Sequence, residues 1–197
     1  MERKLKPVQV QHSLEERGIR LFSPEEFRRL FSVTLRCAQE FIKDHQHDLF
    51  LKIRNGLYAL SHIQPSELEI ANRLYAPSYI SLEYALSHYG LIPETVYAIT
   101  SVTTRITRSF EVLEKEYTYS KIKMSAYRGY TSEKKENTVV LIAEPEKALV
   151  DYLYFVDLKL KTLNERLSLR GINKKRALSY AAIYKRESLQ KLLKGIL

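Results

Sequence analysis

Asn55-Gly56 lies between two β-favouring runs, Leu49-Phe50-Leu51-Lys52-Ile53-Arg54 and Leu57-Tyr58-Ala59-Leu60. Asn-Gly tolerates the positive φ of a two-residue hairpin turn, so the chain is predicted to double back here as a β-hairpin. The residues ahead of it are helical in pattern. Ser23-Pro24-Glu25-Glu26 combines an N-cap serine, a proline at the first helical position and a capping-box glutamate. Phe27, Leu30 and Phe31 then fall at i, i+3, i+4, which buries one face and turns Arg28 and Arg29 outward. Ser32-Val33-Thr34 offers the next cap. Ala38, Phe41 and Ile42, with His45, continue an apolar stripe over a helix from Val33 to Gln46, which Cys37 joins as a small apolar residue. Ahead of Ser23 the one helical signal is Ser13-Leu14-Glu15-Glu16-Arg17, with Ser13 as cap and Gly18 as stop. Helix, turn, helix, hairpin in that order predicts a winged helix-turn-helix over residues 1–64, its second helix in a DNA major groove and its hairpin on the backbone or minor groove.

Ile63-Gln64-Pro65 breaks the pattern and marks the expected domain boundary. Beyond it, Ser66 and Ser81 are placed to cap helices carrying Leu68, Ala71, Leu74 and Leu82, Ala85, Leu86, with Gly90 as a stop. The period then changes. Residues 95–102, 109–112, 117–123 and 138–143 are rich in Val, Ile, Thr, Tyr and Phe and read as strands, with Arg128-Gly129-Tyr130 in a bend and 131–137 as a polar surface loop. Pro145 opens a helix with Ala148, Leu149, Tyr152, Leu153 and Phe155 buried, Asn173 caps another over 174–184, and Leu189, Leu192, Leu193 and Ile196 stripe a last one. The expected class is α+β: an N-terminal winged helix-turn-helix, then a mixed α/β domain over residues 65–197 ending in basic helices.

The net charge of +9 is unevenly placed, because residues 151–197 hold eleven lysines and arginines against four acids. Lys174, Lys175, Arg176, Lys185 and Arg186 form the densest part of that basic surface, which suits phosphates or an acidic protein. No apolar stretch approaches the roughly 18 residues of a membrane span, and the charged start Met1-Glu2-Arg3-Lys4 is no secretory leader, so a soluble cytoplasmic protein without membrane partners is expected. A single cysteine excludes disulfide and thiolate-zinc scaffolds.

Ile70-Ala71-Asn72-Arg73-Leu74-Tyr75-Ala76-Pro77-Ser78-Tyr79-Ile80-Ser81-Leu82-Glu83-Tyr84-Ala85-Leu86, the following Tyr89-Gly90-Leu91-Ile92-Pro93-Glu94, the run Leu141-Ile142-Ala143-Glu144-Pro145-Glu146-Lys147-Ala148-Leu149-Val150-Asp151 and the wing-like Arg54-Asn55-Gly56-Leu57-Tyr58 occur in that family's order in AbiEi-type antitoxin and transcriptional regulators, which residues 23–160 resemble. The resemblance implies a winged-helix reader of double-stranded operator DNA followed by an α/β antitoxin domain. It further implies a repressor of its own operon that counteracts a cognate nucleotidyltransferase toxin. The family's winged helix has a helix ahead of the one at Pro24, which only the Leu14 to Arg17 turn is placed to supply.

On the second helix Ser32, Thr34, Arg36 and Gln39 are the expected base or phosphate contacts, Arg36 foremost because its guanidinium can pair bidentately with guanine. Lys43 and the hairpin residues Lys52, Arg54 and Asn55 are expected to add salt-sensitive affinity. An inverted-repeat operator implies two copies paired on DNA, monomeric or weakly dimeric when free. The rival reading is a non-enzymatic interaction module that binds an acidic partner through the basic C-terminal helices.

Enzyme chemistry is not expected, nor any metal or cofactor. Glu144 and Glu146 read as helix-start acids and Lys147 with Asp151 as an i, i+4 pair. His45 and His47 are two apart on a helix and diverge. Glu133-Lys134-Lys135 has a nuclease-like form but is placed in the polar loop, and no glycine-rich phosphate loop is present. Tyr79, Tyr84, Tyr89 and Tyr97 are expected to pack their rings in a core with hydroxyls at the surface.

Overall fold

The computed structural model describes residues 5–135 and 138–197, and its contacts divide the chain into two units, Met1–Leu74 and Tyr75–Leu197. In the first, the order is α1 (Pro7–Glu16), β1 (Leu21–Phe22), α2 (Pro24–Phe31), α3 (Leu35–Asp44), β2 (Phe50–Arg54), β3 (Leu57–Leu60) and α4 (Glu67–Leu74). The strands form an antiparallel sheet in the order β1-β3-β2.

The capping box at Ser23 forms in full: the serine hydroxyl accepts from the Glu26 N–H, and the Glu26 carboxylate accepts from the Ser23 N–H at 2.7 Å. Thr34, not Ser32, caps α3; its hydroxyl accepts from the Cys37 N–H, while Ser32 ends α2 in the left-handed region at φ 53°. Asn55-Gly56 turns the hairpin, with Gly56 at φ 78°. Phe27 is fully buried at the centre of the core, its ring 4.6 Å from Phe31, 5.7 Å from Phe41 and 6.0 Å from Phe50 between centroids. Cys37 is only half-buried.

The lead-in differs from expectation. A full helix, α1, replaces the short turn at Ser13, which lies inside it; Pro7 occupies its first turn, and Val10 and Leu14, one turn apart, are buried. Gly18 does stop it, with the Gly18 N–H bonded to the Glu15 carbonyl and the Ile19 N–H to that of Leu14. The expected boundary at Gln64 differs from the division after Leu74, because α4 packs on β1 and Arg73 pairs with Glu26 at 2.5 Å.

The second unit runs β4 (Ser78–Ile80), α5 (Leu82–His88), β5 (Ile99–Thr103), β6 (Arg108–Val112), β7 (Lys115–Lys121), a 3₁₀ turn (Met124–Ala126), β8 (Tyr130–Lys135), β9 (Thr138–Ala143), α6 (Pro145–Asp157), α7 (Lys174–Ile183) and α8 (Glu187–Ile196). One mixed sheet has the order β6-β7-β5-β4-β9-β8, parallel at β5/β7 and β4/β9 and antiparallel elsewhere. The protein is thus mixed α+β. Helix α6 is the hub of this unit: Glu146 through Phe155 are all buried, and α5, α7, α8 and β9 pack around it.

Three expectations are corrected here. Residues 131–135 are strand, not loop, because β8 pairs antiparallel with β9 from Tyr130↔Ala143 to Lys135↔Thr138; the loop's remaining residues, 136 and 137, lie outside the described residues. Ser81 does not cap α5, since its hydroxyl is drawn to Asp151 instead. A strand not expected from the sequence, β4, begins at Ser78 directly after Pro77, and its three residues are all buried and so show no alternation. Asn173 caps α7 as expected, accepting from the Arg176 N–H. Among the described residues no helix is long and apolar enough to cross a membrane.

Candidate functional site

The two elements that carry the expected DNA contacts are built from the same first unit. In α3 the buried Ala38 and Ile42 fix which side faces the core, so Arg36, Gln39 and Lys43 emerge on the opposite side one turn apart. In the hairpin, Phe50, Ile53, Leu57 and Ala59 point inward, which leaves Lys52, Arg54 and Asn55 in solvent. Ser32, Thr34, Arg36, Gln39, Lys43, Lys52, Arg54 and Asn55 are all exposed.

Not all of them are uncommitted. Thr34 holds the helix start, and Arg36 Nε donates to Glu40 Oε1 at 2.8 Å, with the Arg36 side chain 87% exposed. An exposed i, i+4 pair of this kind contributes about 0.3–0.5 kcal/mol, little enough for a phosphate or guanine to displace. Glu40 is the residue that reading for cations missed; its i+4 spacing from Arg36 was the available signal. Arg54 Nη1 donates to the Asn55 carbonyl at 3.0 Å, which lays the guanidinium along the hairpin turn.

The basic residues of the second unit are more heavily engaged. Arg176 Nη2 donates to Glu144 Oε1 at 2.5 Å, Arg186 Nε to Asp157 Oδ2 at 2.6 Å, and Lys174 Nζ to the Leu197 carbonyl. Lys175 and Lys185 are exposed. Arg176 and Arg186, each held by an acid, therefore act as ties between helices α6 and α7 and their flanks as much as a surface for partners.

Glu144, Glu146, Lys147 and Asp151 are brought together with new partners. Glu144 takes Arg176 and the Tyr180 hydroxyl, and Glu146 accepts from the Asn173 N–H at 3.0 Å. Lys147 and Asp151 form the expected i, i+4 pair, and both are fully buried. Asp151 Oδ2 accepts from the Tyr79 hydroxyl at 3.0 Å and from Ser81 Oγ at 2.9 Å, and Oδ1 accepts from Lys147 and from Tyr184 at 2.5 Å. Burial pushes the Lys147 ammonium down against the pull of Asp151, and burial with the same carboxylate lifts the Tyr79 and Tyr184 hydroxyls well above their ordinary range. Each partner of this carboxylate is itself buried, so the cluster fixes β4, α6 and α7 to one another.

The remaining candidates separate. Tyr79 is buried, Tyr84 and Tyr89 are half-buried, and Tyr97 is 80% exposed, against the expected core packing of its ring. Glu133 lies on strand β8, not in a loop, where it accepts from the Tyr89 hydroxyl at 3.1 Å. His45 bonds Asp48, and His45 and His47 both lie past the end of α3 at Asp44, not on a helix as expected. No three His, Cys, Asp or Glu side chains converge to hold a metal among the described residues.

No family model matches this chain, and no curated protein matches it.

Proposed function

We propose that this chain is a DNA-binding transcriptional repressor of the antitoxin type, whose first unit is a winged helix-turn-helix that reads double-stranded operator DNA. The reading is supported foremost by the common exposure of the eight side chains on α3, its lead-in and the β2–β3 hairpin. The order of elements, with α2 and α3 joined by a tight left-handed turn and followed by a two-stranded wing, supports it as well. In this reading Arg36 and Gln39 address base edges, Thr34 and Ser32 the backbone at the helix start, and Lys43, Lys52 and Arg54 phosphates. Two copies occupy an inverted repeat. The second unit is the antitoxin part, opposing a nucleotidyltransferase toxin encoded beside it, and carries no catalysis.

The test is fluorescence anisotropy of the full chain against its own upstream DNA and a scrambled duplex of equal length, at about 50 and about 200 mM salt. Preference for the native duplex that persists at the higher salt and falls about 10-fold or more in Arg36→Ala upholds the reading. Equal and steeply salt-dependent binding to both duplexes rejects it.

A further inference from the structure

Strand β6 is an outer strand of the second unit's sheet, paired with β7 on one side and, among the described residues, with nothing on the other. Leu113-Glu114 is a two-residue turn, so the flanking pair Val112↔Lys115 is hydrogen-bonded, and alternation makes Phe110↔Tyr117 and Arg108↔Tyr119 hydrogen-bonded as well. The N–H and C=O groups of Ser109 and Glu111 therefore point away from the sheet, and both residues are exposed. Beside them runs an open hollow of about 400 Å³, lined by Ser109, Phe110, Glu111, Glu114 and Glu116. The edge offers backbone donors and acceptors together with room for one more strand.

Charges on an edge strand ordinarily keep a second strand away. Here their order does the opposite for one particular partner. Arg105 and Arg108 stand at or before the start of β6, Glu111 and Glu114 at or beyond its end, and Arg108, Glu111 and Glu114 form no ion pair with any described residue. A copy of β6 running the same way would set arginine beside arginine and glutamate beside glutamate. An antiparallel copy sets each arginine end against a glutamate end. With the two-fold axis at Phe110, Ser109 of each copy faces Glu111 of the other, and these outward-pointing residues exchange about four main-chain hydrogen bonds. The Ser109 hydroxyl can then donate to the carboxylate opposite, the two half-buried Phe110 rings lie across from each other, and Arg108 comes to the tip that carries Glu114.

From this we infer that β6 is the surface through which two copies of this chain associate, antiparallel and centred on Phe110, so that the sheet continues from one copy into the other. A strand of five residues on each side is small for a permanent interface, so the dimer is weak and reversible. The contact needs no DNA; it goes beyond the operator reading and stands or falls apart from it.

The test is sedimentation equilibrium of the full chain without DNA, from about 5 to about 500 µM. The average mass is expected to rise from 23.1 kDa toward twice that value across this range. Arg108→Glu and Glu114→Arg, both at exposed positions, are each expected to raise the dissociation constant about tenfold or more, and the two combined to return it to within about threefold of the unaltered chain. Ser109→Pro, which removes an N–H that β7 does not use, is expected to abolish association. An average mass that stays at one chain throughout, a dimer untouched by Arg108→Glu or by Ser109→Pro, or a combined variant as weak as either single one would each overturn the inference.

Discussion

Tyr184, the residue that ends α7, donates its hydroxyl to Asp151 Oδ1 on α6 across 2.5 Å, although 33 positions separate them in the chain. The same carboxylate neutralises Lys147, which is wholly buried. Asp151→Ala strands that ammonium in the interior and is expected to cost about 3–5 kcal/mol. Tyr184→Phe removes one donor and leaves the charge pair intact, for about 1–3 kcal/mol. Urea unfolding followed by tyrosine fluorescence ranks the two; equal midpoints would mean that Lys147 does not depend on Asp151 for its charge.

Glu26 serves two masters in the first unit, the start of α2 and Arg73 on α4. Burial pushes its carboxyl up, but the hydrogen bonds from Ser23 and the nearby Arg73 outweigh this and leave it below its ordinary value. A carboxyl lowered by folding stabilises fully above its unfolded pKa, and that stabilisation is lost as the pH falls through the folded value. Stability of the first unit is therefore expected to fall below about pH 4.5. Glu15 and Asp48, lowered by hydrogen bonds from Gln11 and His62 and from His45, move the same way. Ser23→Ala is expected to cost about 1 kcal/mol at pH 7, and Glu26→Gln to flatten the acid limb in melts between pH 3 and 7. An unchanged acid limb in Glu26→Gln contradicts the assignment.

Local signals account for what was readable in advance. The caps at Ser23 and Asn173, the stop at Gly18 and the Asn55-Gly56 turn each involve residues within five positions of one another, so spacing alone finds them, whereas Ser32-Val33-Thr34 left open which residue caps α3. The exposed face of α3 was likewise readable, because Ala38 and Ile42 set its phase. What escaped depends on partners far away in sequence. Strand β1 is two residues long and exists through Leu21↔Ala59 pairing; β8 is polar because it is an edge strand, and looks like a loop until β9 lies beside it. Ser81 looked like a cap for lack of any sign that Asp151 lay within reach, 70 residues on.

Leu113 and Glu114 join β6 to β7 with both residues at positive φ, 51° and 60°. This is the backbone that Asn-Gly adopts without strain, and neither leucine nor glutamate favours it. Leu113→Asn with Glu114→Gly is therefore expected to stabilise the second unit by about 1 kcal/mol, because the left-handed conformation costs an ordinary residue about that much. Leu113 is itself 45% exposed, so little burial is lost. A lower melting temperature in the double variant would show that the leucine side chain matters more than the turn.

On the exposed side of α3, Glu40 is the acid that pairs with Arg36, with Asp44 one turn further on. Its removal is expected to tighten binding to any duplex, with a loss of stability of no more than about 0.5 kcal/mol. Lys43→Ala and Lys52→Ala are each expected to lower the slope of log affinity against log salt by about 1, if each neutralises one phosphate. Anisotropy titrations at several salt concentrations measure both effects, and an unaltered slope removes that lysine from the interface.

Gly129 is closed to side chains by two independent conditions. Its φ is 78°, and a Cβ there would stand 2.7 Å from Cε1 and Cζ of Tyr180. Tyr180 has little room to yield, because its hydroxyl is bonded to Glu144 Oε2 at 2.5 Å, and the Glu144 N–H is in turn bonded to the Gly129 carbonyl. Gly129→Ala is therefore expected to cost more than Gly18→Ala, where φ is 63° but nothing lies within 4 Å of the added carbon. Backbone strain of about 1–2 kcal/mol is common to both, and the excess is the displacement of Tyr180. A double-mutant cycle with Tyr180→Ala separates the two: the penalty of Gly129→Ala is expected to shrink by about 1 kcal/mol once the ring is gone. A penalty that does not change in the Tyr180→Ala background would place the whole cost in the backbone and none in the contact.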